Sequence, residues 1–271
     1  MCERVGMTRQ AYYKGARRRR RREVDEEAVV ELVKRERRIH PRMGAKKLMR
    51  LLRGELKEMG IQIGRDRFFE LLRAKELLVK RRRRGGARTT WSGHGLRVYA
   101  NRVKWIEPSM PDQVWVSDIT YLRTEEGFLY LALITDAYSR KILGFEASDR
   151  LEAEGCLRSL RRALEGLSEG ACPIHHSDRG IQYCSEEYVG LLEGRGLQIS
   201  MTELNHCYEN ALAERVNGIL KQEYGLGQTF RTKAQARQAV RQAVEIYNEL
   251  RPHQSLGYRT PASVHGMQRA A

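Results

Sequence analysis

The chain has 271 residues, enough for a sizeable core and a smaller accessory unit. Five scattered cysteines without a C-x-x-C pair argue against a disulfide-stapled secreted protein, no apolar run approaches the ~18–20 residues of a membrane span, and no signal-peptide segment is apparent; the expectation is a soluble, intracellular protein. The net charge of +16 is lopsided: residues 1–104 hold 32 Lys+Arg against 12 Asp+Glu, and the rest 18 against 22, so one part is built to meet a polyanion. Nucleic acid fits better than an anionic membrane, because the runs Arg17–Arg22 and Arg81–Arg84 lack the bulky apolar residues of a membrane-surface helix.

The first 23 residues read as a short helix remnant and a basic tether. From Val24 the acidic turn Asp25-Glu26-Glu27 and the spacing of Val29, Val30, Leu32 and Val33 predict a helix up to Arg38. Pro41 and Gly44 break the chain, and Leu48, Leu51, Leu52 and Leu56 resume the 3.6-residue period until Gly60. After Gly64 a third periodicity runs through Phe68, Phe69, Leu71, Leu72 and Leu77, with Arg65, Arg67, Arg73 and Lys75 on its other side. Residues 24–79 thus read as a small all-α, helix-turn-helix-like DNA-binding domain. Arg65 and Arg67, at the start of its third helix, are the candidates for reading bases in the major groove. Residues 80–105 lose periodicity and read as a basic linker, with Arg81, Arg82, Arg83 and Arg84 as phosphate contacts.

The character changes at residue 106. VWVSDITYLRT (114–124), FLYLALITDAYS (128–139) and KILGFEA (141–147) predict three strands in sequence, the first two joined at the turn Glu126-Gly127. A capping-box-like Asp149 and Glu152 opens a helix through Leu157, Leu160, Ala163, Leu164 and Leu167. PIHHSD (173–178) is a fourth strand, Ser185-Glu186-Glu187 opens another helix, LQISM (197–201) is a fifth strand, and helices follow at 210–224 and 232–250. The order is that of an α/β core over 106–267 with C-terminal helices.

Asp118 interrupts an apolar strand, where an ionised carboxylate is costly unless it is paired or binds a metal. Asp178 ends the fourth strand, where α/β sheets place ligand sites; if the two strands are neighbours, both aspartates can share a cation. On the helix at 210–224, Leu212, Val216 and Ile219 form the apolar stripe and Asn210, Glu214, Asn217 and Lys221 lie opposite, so Glu214 is the third acid. Each alone has an ordinary explanation as a strand-end cap, a turn former or a solvated helix charge. Together they make a hard-oxygen site suited to Mg²⁺, with Mn²⁺ able to substitute, and two such ions support phosphoryl transfer. His175 and His176 alternate across their strand and cannot chelate together with Cys172 or Cys184. Ser139 and Ser177 lack a nucleophile-elbow setting.

The segments Trp115–Tyr121 (W-x-x-D-I-T-Y), His176–Ser185 (H-S-D-R-G-x-Q-Y-x-S) and Glu209–Lys221 (E-N-A-x-A-E-x-x-x-G-x-L-K), with thirty-five residues between Asp178 and Glu214 and the tail Tyr247–Pro261, closely resemble the OrfB-type transposases of the insertion-sequence-three family, whose cores are similar to retroviral integrases. The resemblance covers nearly the whole chain. It implies a ribonuclease-H-like mixed-sheet core, metal-dependent 3′-end cleavage and strand transfer at the terminal inverted repeats of a bacterial insertion sequence, and a cytoplasmic, nucleoid-associated protein. It also implies that Asp118, Asp178 and Glu214 are catalytic metal ligands, that Lys221 contacts DNA near the scissile phosphate, and that the active complex is a homo-oligomer on double-stranded DNA. An OrfA-type partner or fusion belongs to the family pattern.

Where the family often has Tyr-Asp-Asn-Ala, this sequence has Tyr208-Glu209-Asn210-Ala211, which makes Glu209 a lesser rival to Glu214. Two other functions share parts of the pattern. A non-catalytic regulator of transposition from the same reading frame would use the basic half without all three acids. A ribonuclease-H-type nuclease would use the acids without the basic helices.

Overall fold

The computed structural model describes residues 8–79, 95–203 and 210–267, and the chain divides into two compact units at Arg81/Arg82. The first is helical: α1 (Arg9–Ile39), α2 (Ala45–Glu58) and α3 (Arg65–Ala74). They meet through Val29, Val33, Met43, Leu48, Leu52, Phe68 and Leu72, all fully buried. The tether expected before residue 24 is different here: the arginine run lies inside the 31-residue α1, whose N-cap is Thr8, its hydroxyl accepting from Ala11 N–H. Arginine is a good helix former, and Arg22 pairs with Glu26 one turn on. The acidic turn at 25–27 therefore sits in mid-helix, where Glu26 also accepts both Arg67 contacts from α3 at 2.6 and 2.9 Å.

The second unit is built on a mixed sheet. Its elements are β1 (Val114–Thr124), β2 (Gly127–Asp136), β3 (Ile142–Ser148), α4 (Ala153–Glu165), β4 (Ile174–Ser177), α5 (Glu186–Gly194), β5 (Gln198–Met201), α6 (Ala211–Glu223), β6 (Thr229–Phe230), α7 (Lys233–Glu249) and α8 (Pro261–Met267). The sheet order is β3-β2-β1-β4-β5; β1 pairs with β2 and β2 with β3 antiparallel, whereas β4 and β5 continue from β1 in parallel, and β6 pairs with the far end of β1. Strand alternation supplies two cores. Leu129, Leu131 and Leu133 of β2 join Val216, Leu220, Val240 and Tyr247 of α6 and α7 on one face. Ala132 and Ile134 join Leu157, Leu160, Tyr188 and Leu192 of α4 and α5 on the other. Gly144 is where α4 comes closest, since a Cβ there would collide with the carbonyl of Ser159.

Three local expectations are met differently. The Asp149–Glu152 box does not form: Glu152 is the N-cap of α4 without a side-chain bond, and Asp149 pairs instead with Lys233 and Arg237. The described part of the expected linker is docked rather than loose, with Tyr99 packed on the α4–α5 core and Arg102 N–H donating to Ser200 Oγ at 2.8 Å. Beyond α7, Arg251 is 2 % exposed and forms a bidentate pair with Glu223 at 2.8 and 2.9 Å, and the His253 ring meets Tyr247 edge-on; this segment locks the end of α6 against α7. Among the described residues no helix is long and apolar enough to cross a membrane.

Candidate active site

β1 is central, flanked by β2 and β4, so Asp118 is presented from mid-sheet and is half-buried. β4 runs parallel to it with Val114 opposite Ile174, Trp115 opposite His175 and Val116 opposite His176. Continued two residues, this register brings Asp118 beside Asp178, just past the end of β4. There Asp178 Oδ1 accepts the N–H of Gly180 at 3.0 Å. The third acid, Glu214, is exposed on the first turn of α6. Two asparagines fix that helix to β1: Asn210 Nδ2 donates to the Ser117 carbonyl and Asn217 Nδ2 to Asp118 Oδ2, each at 2.8 Å. Asn217 shares the helix face of Glu214 and Lys221, a position legible in the sequence although its partner was not.

Burial, and then the negative charge of Asp178 and that of Glu214, push the Asp118 carboxyl up to about 7, with Asn217 opposing. Asp118 therefore lies within electrostatic reach of both other acids. The three do not close into a tight cage, however: among the described residues, the group whose ligand atoms all lie within 4.8 Å of one another is Asp112, Asp136 and His265. The Asp118 set is an open site of carboxylate oxygens whose negative charge is under-compensated, which suits a hard divalent cation. Lys221, two turns beyond Glu214, lies with its ammonium 4.5 Å from the ring centre of Tyr121. Burial holds this lysine below its ordinary range, against the pull of Asp118. Tyr121 is half-buried and acts as a platform for that cation.

The two histidines face opposite ways. His175 Nε2 meets Ser117 Oγ at 2.7 Å and Tyr188 OH at 2.9 Å, and burial pushes it down to about 3, so it is a neutral core residue. His176 Nδ1 meets Ser200 Oγ at 2.9 Å.

Residues 108–207 match the integrase core domain family, and residues 195–261 match a second integrase core domain family. The "Insertion element IS600 uncharacterized 31 kDa protein" of Shigella sonnei is 37% identical over 267 residues, covering 97% of this chain and 96% of that protein. Transposase InsF for insertion sequence IS3A of Escherichia coli (strain K12) is 35% identical over 212 residues, 78% of this chain and 73% of InsF. The chain belongs to the IS3 family of transposases. Its core has the ribonuclease-H-like fold of integrases: a cryo-EM structure of the simian T-cell lymphotropic virus intasome in complex with the PP2A regulatory subunit B56 gamma superposes with a TM-score of 0.51 at 19% identity, over 63% of this chain and 59% of that one. As an IS3-family transposase it is a DDE polynucleotidyl transferase, and the reading as a non-catalytic regulator is not favoured. Divalent metal is the general cofactor of such cores.

Of the DNA-contact candidates in this transposase, Arg65 is exposed and pairs with its neighbour Asp66 at 2.9 Å. It borders a shallow groove lined by Lys46, Phe69, Glu70 and Arg73. Arg67 is committed to Glu26 and also meets Glu70 at 3.2 Å. Arg81–Arg84 and the rival acid Glu209 lie outside the described residues.

Proposed function

We propose that Asp118, Asp178 and Glu214 hold two Mg²⁺ ions, replaceable by Mn²⁺, and that the protein cleaves the 3′ ends of its insertion sequence at the terminal inverted repeats and joins them to target DNA. The observation that carries this reading is the β1–β4 register, which sets Asp118 beside Asp178, together with the elevation of Asp118 by burial and then by both other acids. When bound, the ions activate a water or 3′-hydroxyl and stabilise the leaving oxygen of the phosphodiester. The protein's own part is positioning. Asn217 fixes the Asp118 carboxylate through Oδ2, and Asn210 ties the start of the Glu214 helix to the same strand. Exposed Glu214 forms the side of the site that DNA approaches. Lys221, steadied over Tyr121, supplies a positive charge for a phosphate close to the scissile one.

The helical unit, with its basic surplus, binds the element ends as duplex DNA. Arg65 is the better placed base reader, because it need only give up an exposed pair with Asp66, whereas Arg67 must release Glu26; Arg81–Arg84 serve as phosphate contacts. A homo-oligomer holds the paired ends, and an OrfA-type partner or fusion completes the family pattern. The purified protein, incubated with labelled terminal-repeat DNA, should nick and join 3′ ends in Mg²⁺ or Mn²⁺. In Ca²⁺ it should bind DNA with little chemistry. Cleavage that persists in excess chelator would overturn the metal reading.

A further inference from the structure

Away from the Asp118 site, three segments converge at the start of β1. Asp112 precedes that strand, Asp136 ends β2, and His265 comes from α8, the last helix described. Asp136 is fully buried and His265 is 2 % exposed. Asp136 Oδ2 accepts the N–H of Asp112 at 2.8 Å, and its Oδ1 accepts both the N–H and the hydroxyl of Ser139 at 2.6 Å. Trp115 Nε1 donates to Asp112 Oδ1 at 2.9 Å. Burial opposes ionisation of Asp136, but the nearby His265 ring, 3.9 Å away, and the hydrogen bonds of Ser139 hold it below the usual carboxylate range.

These bonds fix one nitrogen of the imidazole. The Ser139 hydroxyl spends its proton on Asp136, so at its 3.1 Å contact with His265 Nδ1 it is the acceptor and Nδ1 is the protonated nitrogen. The lone pair of neutral His265 is then on Nε2, a buried atom with no hydrogen-bond partner. That nitrogen faces Asp112 Oδ2 at 3.9 Å. A lone pair aimed at a carboxylate oxygen in a buried setting is unfavourable unless positive charge lies between them. The separation is too long for a direct hydrogen bond. It is about half an ångström longer than the roughly 3.4 Å between two ligands of a tetrahedral ion with bonds of about 2.1 Å.

We propose that Asp112, Asp136 and His265 form a second divalent-cation site, of the Zn²⁺ class, that clamps α8 to the strand carrying Asp118. The donor set of one imidazole nitrogen and two carboxylates favours a borderline transition ion over Mg²⁺, and the Asp136–Ser139–His265 chain is the outer support that aligns a metal-binding histidine. All three ligand atoms lie within 4.8 Å of one another, and water completes the coordination.

The test uses the full chain carrying Asp118→Asn and Glu214→Gln, so that cation binding at the first site is removed and the result does not depend on that assignment. Zn²⁺ binding is measured by stoichiometry after dialysis and by the shift in Tm. The expected result is about one Zn²⁺ per chain and a Tm raised by several degrees, with Mg²⁺ ineffective. Adding His265→Gln should weaken binding at least tenfold. Adding Asp112→Asn, at a half-buried position, should do the same if the histidine variant folds poorly. No retained Zn²⁺, or Zn²⁺ retained undiminished in both variants, would overturn the site. So would stabilisation by acid alone in metal-free buffer, which would assign the positive charge to a protonated His265.

Discussion

In the helical unit, Glu26 takes Arg22 and Arg67 and Glu55 takes Arg35, all at partly exposed positions. In the core unit, Asp118 meets Asn217 on the central strand, Asp136 is sealed at the end of β2 with Ser139, and Glu223 meets Arg251, which is buried. The difference teaches where charge is structural. Exposed pairs contribute little to stability and exchange readily for a phosphate partner, whereas buried groups are expensive to leave uncompensated. The unit with the larger charge should therefore tolerate substitution better than the unit with the smaller one.

The largest expected effect tests that contrast directly. Asp118→Asn, Asp178→Asn and Glu214→Gln should each lower 3′-end cleavage by about three orders of magnitude or more while circular dichroism stays native, because each would remove a charge from the proposed shared metal site. A variant with near-normal rates would remove that acid from the set. Glu209→Gln should keep most activity; the reverse pattern, with Glu209→Gln dead and Glu214→Gln active, would exchange the two. Next in size is Arg251→Met, which removes the bidentate pair with Glu223 from a buried position and should cost about 3–5 kcal/mol in chemical denaturation. A loss under 1 kcal/mol would place this pair with the surface ones.

A pH titration gives the third. Because the folded-state value of Asp118 is raised from 3.8 to about 7, its contribution to the stability of the metal-free protein is full below about pH 4 and is lost as pH rises through 7. Asp118→Asn should abolish that slope. For the same reason the apparent affinity for Mg²⁺ should fall by up to about tenfold per unit below pH 7 and level off above it. A flat affinity between pH 5.5 and 8 would break the argument. The smallest effect is on the helical unit: Arg65→Ala should reduce the preference for terminal-repeat over random DNA about tenfold with little change in Tm. Glu26→Gln, by releasing Arg67, should strengthen binding if that arginine touches DNA and leave it unchanged if it is only structural.

Much of this core was legible because its signals are local. The half-apolar run 114–124 forms β1 over the same residues, the turn at Glu126-Gly127 joins β1 to β2, and the wheel of the helix at 210–224 puts Glu214 and Lys221 on one face. The β1–β4 neighbourhood is only a condition in the sequence, since strand order depends on contacts distant along the chain; the structure supplies it. Two-residue β6 and seven-residue α8 are too short to carry a period. Asp112, Asp136 and His265 could not be grouped, because they come from three remote segments and none interrupts an apolar pattern as Asp118 does. The arginine run reads as a tether because it shows turn and charge signals but no long apolar period; helix propensity and the Arg22–Glu26 pair extend α1 through it.

That helix is about 46 Å long at 1.5 Å per residue, and its buried residues are Val29, Val30, Val33 and Glu36. Arg17 to Arg22 lie on the N-terminal half, which contributes no buried side chain. Six consecutive positions turned by 100° each cannot form a stripe for one groove; they encircle the rod as a collar about 8 Å deep. A collar offers a positive surface at every azimuth. It would hold a phosphate backbone without fixing the rotation of the rod about its own axis, so it can anchor this arm to a duplex while leaving the choice of register to side chains that have only one direction in which to point.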